Sequence, residues 1–495
     1  MAVRRVDAVT GFPLLTALVA CPALGLLAIL LIPGRNVRAV RVAAALSGLA
    51  SVVVTALIAL AYDRGATGYQ LVERLAWMPS AGIGWVAGVD GISLPLLVLT
   101  AIVFLTGVLV MWELEERVKE YFAFMTLLVT GVFGVFVALD LFFFLFFYEV
   151  AVLPMYLLIA VWGSTRKEYG AMKLTLYLLA GTALVVPAAL ALWAAAGANT
   201  FDLTVLMQHD YGYRFQLFIY PFLFVGFGVL AGMWPLHTWS PVGHVAAPTA
   251  VSMLHAGVLM KLGAYGILRV GITLLPDGAE YWALAAALLA TVNIVYGAFV
   301  ALGQTDLKFV IGYSSVSHMG IVLLGLATLS VDGINGAVFQ MFSHGIMTAL
   351  FFAAVGYIYD RYHTRDIGKL GGLSRQIPVA SAFFIVAALT GAGVPGFASF
   401  WAELLVFLGA LKVYPVLAAI VVGALVLTLA YSIRVIVLAF FGAPREPHPE
   451  VADIPGFLSL PRAILVAVLL IVGFYPRLVL DVVDPATRAL EHVLR

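Results

Sequence analysis

Glu149 stands in LFFFLFFYEVAVLPMYLL, with seven apolar residues before Tyr148 and five after the carboxylate. A charge at the centre of a membrane helix costs roughly 2.5–3.5 kcal/mol on insertion scales, so each such residue requires a reason. The chemistry open to Glu149 is that of a protonatable relay carboxylate, and the plainer alternative is a structural hydrogen-bonding group. Lys261 lies in VSMLHAGVLMKLGAYG, among Gly257, Gly263 and Ala264. A desolvated lysine can hold and release a proton, whereas a lysine nearer a helix end reaches an interface by snorkelling, the role expected of Arg269. Glu403, in FWAELLVFLG, follows a proline–glycine interruption and suits a proton exit; otherwise it favours the start of a restarted helix through the dipole. Lys173 in YGAMKLTLYLL reads equally as relay or interface lysine. His237, His244, His255, His318 and His344 form an unusual set for apolar segments. Imidazole changes charge near neutral pH, so a group dispersed over several helices points to a proton path. Tyr313, Ser314, Ser315 and Ser317 offer hydroxyls between them. The histidines have no cysteine or acidic neighbours at metal-ligand spacing, so no metal site is expected.

These residues need helices to hold them in an apolar medium. Of the 495 residues, 63% are apolar and 11% charged, with a net charge of +1; soluble domains average about 25% charged. That balance excludes a cytosolic enzyme, a secreted protein, a disordered chain and a nucleic-acid binder. The chain reads as an all-α polytopic membrane protein with about fourteen transmembrane helices. Hydropathy places them near 12–32, 40–62, 91–112, 119–139, 141–162, 172–196, 216–233, 247–271, 281–302, 309–330, 334–359, 378–411, 414–441 and 460–482. The longest connections, 63–90 and 442–459, are too short for an extramembrane domain. Cys21, the one cysteine, forms no internal disulfide. It stands in LVAC after Arg4 and Arg5, a faint likeness to a lipoprotein leader, but the apolar run continuing to Ile32 favours a first span.

Basic residues cluster in alternate loops. Arg35, Arg38, Arg41, Arg117, Lys119, Arg166, Lys167, Lys308, Arg361, Arg365, Lys369, Arg375, Arg445 and Arg462 mark one side, against Arg64, Arg74, Arg214 and Lys412 on the other. The positive-inside rule then puts both termini outside, in the periplasm of a cell that has one, with the chain in the cell (inner) membrane. Two spans are interrupted: GVLAGMWPLHTWSPVGHVAAP by Pro235 and Pro241, and LTGAGVPGFASFWAELL by Pro395. Breaks in corresponding positions of two units are a pointer to a transport path. The units span 119–272 and 280–441, preceded by the N-terminal helices of 1–118 and followed by a C-terminal loop and helix, 442–495. Five helices per unit is odd, so the second is expected to be inverted. No phosphate loop, dinucleotide fingerprint, haem ligand pair or nucleophilic triad is present. Such a chain transports or couples rather than transforming a substrate itself.

The segments HTWSPVGHVAAPTAVSMLHAGVLMKLGAYGILR (237–269), GQTDLKFVIGYSSVSHMGIVLLG (303–325), QMFSHGIMTALFFAAVGYIYDRYHTRDI (340–367) and GVDGISL (88–94) resemble the antiporter-like proton-pumping subunits of respiratory complex I, from about Trp77 to Phe441. Within that family they look most like the M-type subunits of NADH–quinone oxidoreductase. An acidic Glu403 in the broken twelfth helix agrees, since L-type and N-type subunits usually carry lysine there. The resemblance implies fourteen helices in two inverted five-helix repeats, each with a broken helix, and an axis of proton-relay residues. By motif match Glu149 is the fifth-helix glutamate, Lys173 a sixth-helix lysine, Lys261 the central lysine, His318 and His344 relay histidines, and Glu403 the terminal carboxylate. It also implies that L-type and N-type subunits, lipids and protons are the partners. NADH, flavin (FMN), iron–sulfur clusters and quinone belong to partner subunits, leaving no cofactor, metal or catalytic redox site here. One departure matters: the lysine usual seven residues before HTW is Leu230, and the usual acids after it are Val242 and Ala246. Glu149 then lacks its cation, and His237, His255 or Lys173 would have to take the role. The alternatives are a subunit of a multisubunit cation/proton antiporter, of a membrane-bound hydrogenase or ferredoxin-driven complex, or a non-pumping spacer.

Overall fold

The computed structural model describes residues 12–445 and 451–494; Arg4 and Arg5, on which the leader reading rests, lie outside the described residues. Helices α1 (Leu14–Leu31) and α2 (Val37–Ala61) open the chain. The connection after them is no mere linker. Part of it forms an antiparallel hairpin, β1 (Gln70–Met78) and β2 (Ile83–Val89), so the fold is helical with one small sheet. Gly82 turns it at φ +69°, with the backbone of Asn199 pressed where a Cβ would stand. Hairpin residue Glu73 accepts from the free N–H groups of Leu15 (2.7 Å) and Thr16 (2.9 Å), capping α1. Trp77 and Trp85 pack on Phe143 of the fifth span.

Then follow α3 (Ser93–Val110), α4 (Val118–Val137), α5 (Leu141–Trp162), α6 (Lys167–Ala195), the short α7 (Leu203–Leu206) and α8 (Tyr213–Ala231). Asp140 caps α5 by accepting from Phe142 (2.9 Å) and Phe143 (3.1 Å), and burial raises its carboxyl above the usual range while these N–H bonds oppose the rise. After α8 the chain unwinds at Gly232 (φ +75°) and resumes as α9 (Trp239–Ala246). Freed carbonyls in a membrane need protein partners. Trp239 Nε1 donates to Val229 O (2.9 Å), and Asn293 accepts from Trp234 N (2.8 Å) while donating to Val316 O (2.9 Å). The first interruption is thereby tied to the second unit.

A continuous rod follows: α10 (Thr249–Leu254), a widened π turn His255–Leu259, α11 (Met260–Gly266) and a second π segment Ile267–Ile272. Next come α12 (Pro276–Gly303), α13 (Leu307–Ala327), α14 (Val331–Tyr362), α15 (Leu373–Gln376), α16 (Pro378–Gly391), α17 (Ala398–Val413) and α18 (Pro415–Val435), which runs on as a π segment to Phe440. Among the described residues thirteen helical stretches are long and apolar enough to cross a membrane. Together α16 and α17 make a further crossing, broken at residues 392–397 by Gly393 (φ +67°) and Gly396 (φ +99°) around Pro395. The final span is shorter than expected. Helix α19 (Gly456–Phe474) stops before Pro476, and an amphipathic α20 (Arg477–Leu494) follows. Asn335 at the start of α14 donates to Asp484 of α20 (2.8 Å).

The rod Thr249–Ile272 and α14 are the two candidate spans whose apolar stretch is wholly buried among the described residues. They form the centre of the bundle. The outer spans keep apolar faces exposed, with Leu60 and Leu31 above 80% accessible, as helices bathed in lipid do. Small residues allow close helix approach: Gly297 of α12 lies on the Ser317 backbone, and Gly320 of α13 on the Ile294 backbone.

Candidate functional site

Lys261 sits on α11 immediately after the π turn and has no solvent exposure. Widened turns of this type recur at functional positions in helices. The Lys261 amine donates to Ala256 O and meets His344 Nδ1 of α14 at 2.7 Å. A proton on either nitrogen of that pair is hydrogen-bonded to the other. The His344 ring is 5.3 Å from that of His318 on α13, centroid to centroid. His318 Nδ1 has two neighbours, Gln340 Nε2 at 3.1 Å and Glu403 Oε1 at 3.4 Å. Unprotonated there, it accepts from Gln340; protonated, it has the Glu403 carboxylate as an ion-pair neighbour. That nitrogen therefore has a partner in both states.

Glu403 reaches back from α17 to the second break. Its Oε2 lies 2.6 Å from where a Cβ on Gly393 would stand, so that position must be glycine for the carboxylate to be there. Ser343 and Ser399 join α14 to the start of α17 through a 2.7 Å hydroxyl contact. Lys261, His344, His318 and Glu403 thus form one row, each no more than 3% exposed, on four different elements. His318 Nε2 and His344 Nε2 have no protein partner. Buried polar atoms in that condition are where ordered water or a transferring proton is accommodated.

A second group adjoins the row. The His255 ring, on the π turn, is 4.4 Å from that of His244 and 5.1 Å from that of Trp239. His244 contacts Ser240 Oγ at 3.0 Å, and both nitrogens of His255 lack a partner. The remaining expected residues stand apart. His237 lies in the first break with its ring 5.0 Å from Tyr296 and both nitrogens unpartnered. Lys173, on α6, is half-buried between Tyr169 (5.8 Å) and Tyr177 (5.9 Å), close enough for its charge to act on His237. Glu149, half-buried on α5, accepts from Thr182 Oγ1 of α6 (2.7 Å), and among the described residues it forms no salt bridge. Leu230, where a lysine was expected, is fully buried apolar surface.

One expectation is corrected. Arg269 does not snorkel: it is 3% exposed and forms an ion pair with Asp90 of the GVDGISL segment. It also donates to Tyr265 OH (3.1 Å) and Tyr69 OH (3.4 Å), and burial pushes the Tyr69 phenol up. Sequence reasoning also missed Gln340, which shares His318, and a set of buried cations at the far end of α9. Lys308 donates to Ala247 O (2.7 Å), and Arg365 donates to Val245 O (3.2 Å) while pairing with Asp306 (3.2 Å). The signal was present in TDLK and HTRD, but it read as loop charge.

Residues 138–428 match the family described as "NADH:quinone oxidoreductase/Mrp antiporter, TM". The chain is 44% identical over 403 residues to an NAD(P)H-quinone oxidoreductase chain 4 of Picosynechococcus sp., covering 80% of this chain and 73% of that one. With an NAD(P)H-quinone oxidoreductase chain 4 of Synechococcus elongatus it shares 38% over 497 residues, covering 97% and 91%. A chain of respiratory complex I from Thermus thermophilus with bound NADH superimposes with a TM-score of 0.90 at 26% identity, covering 97% of this chain and all of that one. The match covers both interrupted spans and every residue of the buried row, and the chain belongs to the NADH:quinone oxidoreductase/Mrp antiporter membrane family.

Proposed function

We propose that this chain is the proton-translocating M-type subunit in the membrane arm of an NAD(P)H–quinone oxidoreductase. The observation that carries the reading is the row of neighbouring side chains Lys261–His344–His318–Glu403, built from four elements in the interior of the bundle. A proton held between Lys261 and His344 passes to His318, and from its Nδ1 to the Glu403 carboxylate beside the unwound turn. Each imidazole takes a proton on one nitrogen and releases one from the other. Charges this close titrate as a set, so moving one shifts the next. Quinone reduction in partner subunits, which carry the NADH, flavin, iron–sulfur and quinone sites, supplies the signal. L-type and N-type subunits are the expected neighbours.

We read the two halves, 119–272 and 280–441, as inverted repeats. A matched pair of details supports this. Asp140 caps α5 and pairs with Asp202, while Asp306 caps α13 and pairs with Asp366, some 164 to 166 residues later. The distribution of basic residues supports both termini facing outside. The alternative, a cation/proton antiporter subunit, shares the family description.

Inside-out membrane vesicles containing the assembled complex test the proposal. With Lys261→Ala, proton uptake per quinone reduced is expected to fall while the complex still assembles. Unchanged uptake and quinone reduction would sink the relay, and sodium-dependent transport without quinone reduction would favour the antiporter.

A further inference from the structure

With Leu230 apolar and Glu149 hydrogen-bonded to Thr182, a supply of protons to the row through the first half would run without the expected lysine. The structure offers another supply. Between the inner ends of α3, α14 and α19 lies a cavity of about 500 Å³ whose lining includes Glu113, Glu116, Tyr357, Asp360, Arg361 and Arg462. At about 30 Å³ per water this space holds several. It opens on the side where Arg117, Lys119 and Arg361 cluster. Asp360 lines it, and Thr249 at the foot of the central rod closes its inner wall against Gly356.

Beyond that wall lies Lys308, 4% exposed, near enough to Asp360 for each charge to act on the other. Its amine donates to Ala247 O (2.7 Å), and Ser252 Oγ, 3.4 Å from the same carbonyl, donates to His244 O (2.9 Å). Next come the touching rings of His244 and His255, where three nitrogens (His244 Nδ1 and both of His255) have no partner although wholly buried. The following residue, Ala256, supplies the carbonyl that holds the Lys261 amine.

We propose that this vestibule is the proton inlet of the chain, with Asp360 as its acceptor and Lys308, His244 and His255 leading from it to Lys261. The inference rests on the relay reading above. In each transfer a hydronium in the vestibule gives its proton to the Asp360 carboxylate, leaving water. The same charge is then handed inward, and each donor returns to its former state when the next proton arrives. The competing account is purely structural: Lys308 serves as a cation at the C-terminal end of α9, and Asp360 serves as counter-charge to Lys308, Arg361 and the buried Arg462.

The vesicle assay separates the two. Asp360→Asn is expected to lower proton uptake per quinone reduced by the same fraction as Lys261→Ala. The double variant should fall no further, and Asp360→Glu should restore uptake. Lys308→Met should match Asp360→Asn; if it prevents assembly, Asp360→Asn decides alone. Full uptake in Asp360→Asn with reduced uptake in Lys261→Ala overturns the inlet and leaves the relay standing. Full uptake in both overturns the relay itself.

Discussion

Lys261 Nζ and His344 Nδ1 stand 2.7 Å apart at the contact between the central rod and α14, both without solvent exposure. Among the described residues neither nitrogen has another side-chain hydrogen-bond partner, so the two are expected to act as one group. Removing either should abolish the step through the row, and residues that work as a unit give strongly non-additive losses. Proton uptake in a Lys261→Ala/His344→Ala double variant is therefore expected to equal that of either single variant. A double variant that loses clearly more than each single would show independent paths.

Gly393→Ala tests the position of Glu403. The added methyl would need the space 2.6 Å from Oε2 and a φ of +67° that alanine rarely adopts, a strain of about 1–3 kcal/mol. Uptake should drop to the level of Glu403→Gln with quinone reduction retained. Val394→Ala, one residue along, should behave as the unaltered chain in the same vesicles.

Asp90 and Arg269 provide a prediction about stability alone. Their pair is buried from both sides and far from the row. Asp90→Asn leaves a buried guanidinium without its counter-charge, at a cost of about 3–5 kcal/mol. The quantity of assembled subunit in membranes should fall sharply. Asp90→Asn combined with Arg269→Met should recover much of it.

Leu230→Lys introduces the residue type that the family resemblance leads one to expect at this position. At a fully buried apolar position it should reduce insertion by roughly 2.5–3.5 kcal/mol unless its charge is paired. Less complex should accumulate, while uptake per quinone reduced in the surviving fraction stays constant. An increase in that ratio would show that Glu149 can be returned to service and that the first half still conducts.

The interrupted spans were legible because proline and glycine mark them, and the buried row was legible because an ionisable residue amid apolar ones is conspicuous. Lys261, His318, His344 and Glu403 all come from that reasoning. Lys308 and Asp360 escaped it for a physical reason. The apolar windows end near 309 and 359, but α13 begins at Leu307 and α14 runs to Tyr362, since protein carbonyls and counter-charges satisfy the polar residues at their ends. Arg269 was misplaced because its partner Asp90 lies 179 residues earlier, beyond any local pattern. The hairpin at 70–89 has no period-two alternation of polar and apolar residues to mark its strands, and π turns leave no mark in composition.

Helix α14 carries Gln340 and His344 at its middle, Asp360 near its C-terminal end and Asn335, bound to α20, near its N-terminal end. Its 32 residues extend about 48 Å at 1.5 Å each. A stiff helix cannot shift at one level and stay still at another. Whatever displaces α14 along its axis changes the inner mouth, the lysine–histidine contact and the histidine's choice of partner in a single stroke. The timing of uptake and release is then set by one mechanical element rather than by three separate switches.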